Sequence, residues 1–174
     1  WVVVEADPPP FAVPTAVVHP CEISALEGAV EAAAKGLVLP WYVGPAEKIN
    51  DLAASKGLEI DASRIVDARH SHESATKAVE RVRLGKAELL MKGSLHTDEL
   101  LSAVVARDAG LRTGRRISHV FIMDVPTYHK VLIITDAAIN IAPTLEDKVD
   151  ICQNAIDLAL SLGVERPKLA ILAA

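Results

Sequence analysis

The chain has 174 residues, a formal net charge of −5, and a composition that is 51% hydrophobic but only 3% aromatic. This length holds one ordinary domain, or one domain and part of another, and so few aromatics leave Val, Ile, Leu and Ala to build the core, as when helices bury parallel strands on both faces. The acidic balance, with no basic cluster beyond Arg112 to Arg116, gives a nucleic-acid role no support, and with no apolar run near the roughly 20 residues that span a bilayer, and no charged start leading into a hydrophobic stretch, the expected location is the cytoplasm rather than a membrane.

Asp7 to Pro14 holds three consecutive prolines, which remove three N–H donors and favour an extended polyproline conformation. Residues 1–14 therefore read as an arm or linker, in a chain that opens on Trp1 as a fragment or fusion piece would. Ala16-Val17-Val18 reads as a strand. Glu22 to Lys35 places Ile23, Leu26, Val30 and Ala34 on one helical face and stops at Gly36. Leu37 to Val43 is a second strand, with Pro40 as a candidate break, and a helix follows from Gly44-Pro45 to Lys56, ending at Gly57. Arg64 to Asp67 is a third strand, and Ser71 to Leu84 a helix with Ala75, Ala78, Val79 and Val82 inward. The strand from Leu89 and a helix from Thr97 to Asp108, closed by Gly110, complete four alternations. Such alternation predicts a three-layer α/β domain with a parallel sheet, whose ligands sit beyond the C-terminal strand ends, here Asp67 to Arg69 and Lys92 to His96.

After Gly110 the pattern changes. His119 to Met123 and Val131 to Ile134 are strand-like, and their seven-residue link is too short for a crossover helix, so an antiparallel hairpin is expected. Thr144 reads as the N-cap, with Asp147 in the first turn, of a helix from Leu145 to Leu162, with Leu145, Val149, Cys152, Ile156 and Ala159 as its apolar stripe. Lys168 to Leu172 reads as a last strand without continuation. The expected division is a first α/β domain over 15–112 and an incomplete second α/β domain, containing the hairpin, over 113–174. Cys21 and Cys152 lie far apart in helical-looking segments and are expected as free, half-buried thiols.

Three constellations carry chemistry. At Leu89 to Asp98 a strand, a tight turn and a helix start capped by Thr97 or Asp98 would bring Lys92, the amides of Gly93 and Ser94 and a helix dipole to one volume, which suits phosphate. The same residues also suit a solvated strand end with His96 filling a turn. Arg112, Arg115 and Arg116, between Gly110 and His119, offer guanidinium groups for a multiply charged anion, or simply form a basic turn. Thr135 to Pro143 offers Asp136 and Asn140 at a strand end, as site groups or as a capped turn. His70-Ser71-His72 has no companion ligand at metal spacing, so no metal site is expected. The common hydrolase, nucleotide-triphosphatase and dinucleotide fingerprints are absent.

Taken together, Leu90-Met91-Lys92-Gly93, His96-Thr97, Gly110-Leu111-Arg112-Thr113-Gly114, Ile117-Ser118-His119-Val120, Thr135 to Pro143 and Gln153-Asn154-Ala155 resemble the phosphate acetyl/butyryltransferase family, from about Thr15 to the end. The likeness points to the butyryltransferase-like branch, and to proteins in which this domain follows an enoyl-CoA hydratase domain. The resemblance implies an isocitrate-dehydrogenase-like fold and the reaction acyl-CoA plus phosphate giving acyl phosphate plus coenzyme A. Coenzyme A is then a substrate, no cofactor is required, and a homodimer is expected. Lys92, Gly93, Ser94, Thr97, Arg112, Thr113, Arg115, Ser118 and Asn140 become the phosphate and substrate contacts, with His96 and Asp136 as the catalytic candidates within this chain. The family's Ser-Arg pair and its general-base aspartate would fall beyond Ala174, and Ser102 stands where the acetyl-specific members have a functional arginine. A non-catalytic phosphate- or coenzyme-A-binding fragment of the same architecture is the alternative.

Overall fold

A computed structural model describes residues 11–172, which divide along the chain into two compact units between Arg112 and Thr113. In the first unit the strands are β1 (Val13–Val18), β2 (Val38–Gly44), β3 (Ile65–Asp67) and β4 (Leu89–Lys92), and the helices α1 (Ile23–Ala34), α2 (Ala46–Lys56), α3 (Ser71–Arg83) and α4 (Thr97–Val104). The four strands form one parallel sheet in the order β3-β2-β1-β4. Because side chains alternate along a strand, Ala16, Val18 and Val43 face Ala75 and Ala78 of α3 and Leu100 of α4. Val17 and Tyr42 face the other way, onto Leu26 and Ala29 of α1 and Ile49 and Ala53 of α2. The result is the expected three-layer α/β arrangement, and each fully buried Leu26 or Ile49 contributes about 1.5–3 kcal/mol through its removal from water.

Two prolines lie inside strands. The arm expected over residues 1–14 falls outside the described residues up to Pro10, and β1 begins at Val13 and includes Pro14. Pro14 is tolerated because pairing with β4 starts only at Thr15, so its missing N–H takes nothing from the ladder, while its carbonyl accepts from Glu88 N at 2.7 Å. Pro40 does not break β2. The odd-numbered residues of β2 bond to β1, and Pro40 faces the β3 side, where pairing begins only at Tyr42; its carbonyl takes Arg64 Nε at 2.9 Å.

The helix ends follow local chemistry. Proline at the N-cap of α2 has φ −58°, and the Asp67 carboxylate accepts from the Ala46 amide at 2.9 Å. Gly57, at φ +64°, ends the helix in the left-handed conformation that side chains disfavour. Helix α4 is shorter than expected: its last residue is Val104, and Ala106 to Gly110 form a turn in which Leu111 N bonds to Val104 O at 2.7 Å. Its N-cap is His96, not Thr97 or Asp98, and the Glu99 carboxylate accepts from the His96 amide at 3.2 Å.

The second unit holds strands β5 (Val120–Met123) and β6 (Leu132–Thr135), paired antiparallel as expected, and helix α5 (Leu145–Ser161), which lies against β6. Thr144 caps α5 in a reciprocal box with Asp147. Replacing Thr144 by Ala is expected to cost about 1 kcal/mol, read as a lower urea midpoint with an unchanged slope; an unchanged midpoint would contradict it. The stripe expected on α5 is rotated. Ile151, Ala155 and Ala159, four residues apart, are the buried line, whereas Leu145 and Val149 are 78% and 62% exposed. Lys168 to Leu172 is not a strand: no neighbouring strand among the described residues takes its N–H and C=O groups. With β6 and α5 it lines a mostly apolar groove.

Candidate functional site

The chain steps from β1 to β2 to β3 in one direction and then returns to place β4 on the opposite side of β1. At such a reversal the loops leaving the two neighbouring strands diverge, which opens the crevice where ligands of parallel α/β sheets bind. The reversal lies between the C-terminal ends of β1 and β4, and the residues there are His19-Pro20-Cys21 and Lys92-Gly93-Ser94.

These two loops are bonded to each other. Gly93 N donates to Val18 O at 2.9 Å and Ser94 N to His19 O at 3.0 Å. The Ser94 hydroxyl donates to His19 O at 2.7 Å and accepts from Cys21 N at 2.9 Å. The expectation that the Gly93 and Ser94 amides serve a bound anion is thereby corrected, since both N–H groups are taken by carbonyls of the neighbouring loop. Gly93 is required by close approach: a Cβ there would stand 2.4 Å from Val18 O and 2.7 Å from His19 O. Lys92 is exposed at the end of β4, and its Nζ contacts only Gly93 O, at 3.3 Å, among the described residues. His96 and Thr97 are exposed at the start of α4.

His19, which is not among the residues singled out from the sequence, stands at this edge. It is the one residue other than glycine with positive φ (+55°) among the described residues. Its Nδ1 lies 3.0 Å from the Ser74 hydroxyl of α3. Burial, followed by the charge of Lys48, pushes its imidazole below the ordinary histidine range, against the weaker pull of Glu99. Cys21, next along the loop, is buried rather than helical, and burial pushes its thiol up. His70 caps α3 by accepting from Glu73 N at 3.2 Å, and His72 meets the Glu99 carboxylate at 3.3 Å. The Arg69 amide, Lys77 and the Arg69 side chain together hold the half-buried Glu73 carboxyl down at about 2. No group of three or more His, Cys, Asp or Glu side chains that would hold a metal occurs among the described residues.

In the second unit the remaining candidates form a structural network. Arg115 pairs with Asp157 of α5, and Arg116 bonds to Asn140 Oδ1 at 2.7 Å while its amide bonds to Asp150 at 2.8 Å. The guanidinium of Arg115 is thus met by a carboxylate of its own unit; Arg112 is exposed at the end of the first unit. Thr113 Oγ1 accepts from Arg115 N at 3.2 Å, and Ser118 Oγ accepts from Asn154 Nδ2 at 3.0 Å. Asp136 accepts from His119 N at 2.7 Å, Asn140 N at 2.6 Å and Asn140 Nδ2 at 2.5 Å. Asn140 Nδ2 also reaches Ile117 O at 3.0 Å. Both polar ends of Asn140 are therefore used within the fold, and Asp136 is the anchor of a capped turn rather than a free base. Burial raises its carboxyl, but the donors from His119, Asn140 and Ile139 outweigh that and hold it below the usual carboxylate range.

A sequence model described as phosphate acetyl/butaryl transferase matches residues 69–174. The phosphate acetyltransferase of Rhizobium meliloti is 56% identical over 160 residues, 92% of this chain and 51% of that protein. The phosphate butyryltransferase of Clostridium acetobutylicum is 35% identical over 145 residues, 83% and 48%. The crystal structure of a phosphotransacetylase from Streptococcus pyogenes superposes with a TM-score of 0.75 at 17% identity, covering 88% of this chain and 55% of that one, a likeness of fold. The chain spans about half the length of the curated relatives it matches. No helix among the described residues is long and apolar enough to cross a membrane.

Proposed function

The chain belongs to the phosphate acetyl/butyryltransferase family, and from that membership we propose that it serves the reversible transfer of an acyl group between coenzyme A and inorganic phosphate. The observation that carries this reading is the 56% identity to a phosphate acetyltransferase over 92% of the chain. Acetyl is the proposed acyl group, because identity to the Clostridium acetobutylicum butyryltransferase is 35%. Acyl-CoA, phosphate and acyl phosphate are then the partners, with coenzyme A as a substrate and no separate cofactor, in the cytoplasm. A homodimer goes with this reading, supported by the apolar side chains of Leu145 and Val149 standing exposed on α5.

Within the first unit, Lys92 is the proposed phosphate contact. Its ammonium group stands at the strand-end reversal with only a weak contact to Gly93 O, and a charged donor there would hold the phosphoryl oxygens of acyl phosphate. The test is acetylation of coenzyme A by acetyl phosphate, run on this chain and on the chain extended to the length of its relatives. Transfer by the extended protein is the expected result, and its absence overturns the proposal. In that protein Lys92→Ala is expected to lower kcat/KM for acetyl phosphate about tenfold to a hundredfold, the loss of one charge-assisted hydrogen bond. An unchanged kcat/KM would remove Lys92 from the site.

A further inference from the structure

Two guanidinium groups lie against Trp41, away from the crevice at the strand reversal. Trp41 is three residues, roughly 10 Å, before the C-terminal end of β2, and shares with Val43 the side of the sheet on which α3 packs. β3 is the outer strand of the sheet. Its pairing with β2 begins at Tyr42 and Ile65, so one step back in the same register places Arg64 beside Trp41. Arg81 follows Ala78 by one turn on the face of α3 that meets the sheet. The guanidinium carbon of Arg64 is 4.3 Å from the Trp41 ring centroid, and that of Arg81 is 3.8 Å from it.

Stacking on the indole accounts for one cation, but the second is brought up against the charge of the first with no carboxylate to balance either. Among the described residues neither arginine forms an ion pair. The acid that feels Arg64 is Asp61, and its carboxylate is turned to Ser63, accepting from the amide at 2.9 Å and the hydroxyl at 2.6 Å. Burial, then the charge of Arg64, push the Arg81 guanidinium below its ordinary value. Arg64 Nε donates to Pro40 O at 2.9 Å. The other guanidinium N–H groups of the pair, and the Trp41 indole N–H, have no acceptor among the described residues, and none of these nitrogens is a buried atom lacking a partner, so they face solvent. All of them are donors only.

We propose that Trp41, Arg64 and Arg81 form a binding site for a small, multiply charged oxyanion, a polyphosphate or a polycarboxylate, separate from the site of acyl transfer. Measured from one centroid, the two guanidinium carbons stand within about 8 Å of each other, so both forks reach one ligand with several charged oxygens. Stacking on Trp41 and the bond to Pro40 hold the donors before the ligand arrives, which lowers the ordering cost of binding. The bound anion supplies the negative charge that the cluster lacks.

The test is titration of the 174-residue chain with inorganic pyrophosphate and, separately, with citrate. It is followed by nitrogen-15 NMR of the indole N–H in Trp1→Phe, where Trp41 is the one tryptophan left. A saturable shift of that signal is expected with at least one of the two anions and not with potassium chloride at matched ionic strength; the anion that binds assigns the ligand class. Arg81→Gln, made in the same background, should raise the dissociation constant about tenfold to a hundredfold, the loss of a charge-assisted contact. Arg64→Lys keeps the charge without the fork and should weaken binding less, and Lys92→Ala should leave it unchanged. Urea unfolding separates binding from folding: the anion should raise the midpoint of the native chain and of Lys92→Ala, and not that of Arg81→Gln. No response to either anion up to about 10 mM, an equal response to chloride, or unchanged affinity in Arg81→Gln overturns the proposal. Loss of the response in Lys92→Ala also overturns it, by moving the anion to the crevice. The acyl-transfer reading stands or falls separately, on turnover by the extended protein.

Discussion

Replacing Gly93 by alanine is expected to destabilise the first unit by about 3 kcal/mol and to abolish most of any transferase activity. The added Cβ would meet the backbone oxygens of Val18 and His19 at 2.4 and 2.7 Å, and the His19 carbonyl carbon at 2.8 Å. None of these is the end of a flexible side chain, so the backbone of one loop must move. Overpacking of this kind costs about 1–3 kcal/mol. Moving the loop also strains the Gly93-to-Val18 and Ser94-to-His19 bonds, each worth about 0.5–1.5 kcal/mol net. The loop in question carries Lys92 at the crevice and is bonded to the His19 carbonyl, so a displacement near 1 Å falls on the proposed phosphate contact. Such misplacement costs about a hundredfold in rate. Urea unfolding and turnover of the extended protein read the two effects. A variant with both an unchanged midpoint and unchanged kcat would mean that the two loops do not need this close approach.

The parallel sheet was legible because its strands are short Val, Ile and Leu runs separated by helices with clear stop signals, as at Gly36 and Gly57. What escaped a linear reading depends on which side of a strand its neighbour occupies. Pro14 and Pro40 look like strand breakers until the register shows that their missing N–H groups face positions with no ladder partner. On α5 two lines of apolar residues satisfy helical spacing, and only the hairpin decides that the line of Ile151, Ala155 and Ala159 turns inward. Lys168 to Leu172 has strand composition, but a strand is made by a partner and not by composition.

The strand end was legible as a place, and the bonds made by its side chains and amides were not. Strand-end logic puts Lys92 to Ser94 at the C-terminal end of β4, where the structure has them, yet the amides of Gly93 and Ser94 are claimed by carbonyls distant in sequence. His19 was invisible for a related reason. It precedes Pro20, which biases it toward extended backbone, and its left-handed conformation comes from contacts with Val43, Ser74 and Ser94. The usable signal was its position, a polar residue directly after the first strand of the crossover series.

Removing the carboxylate of Asp136 is the change expected to do most harm in the second unit. Three hydrogen bonds converge on it, from His119 N, Asn140 N and Asn140 Nδ2, and they tie the end of β6 to the segment leading into β5. A hydrogen bond to a charged group is worth about 1.5–3 kcal/mol, and a buried donor left unpaired costs about 1–3. These contributions overlap, so Asp136→Ala is expected to lose about 3 kcal/mol, seen as lost protection of the His119 and Asn140 amides in hydrogen exchange. The sign of the pH dependence follows from the direction of the shift. The folded carboxyl titrates below its ordinary value, so its contribution is fully present above about pH 4 and is lost as pH falls through the lower folded value. Protection factors at the two amides should therefore decline on acidification below about pH 4 in the native chain. In Asp136→Asn, which keeps the shape but has no charge to titrate, they should start lower and stay flat across that range. Equal protection in the native chain and the Ala variant would show that the turn is held by Asn140, Ile117 and Arg116 without the carboxylate.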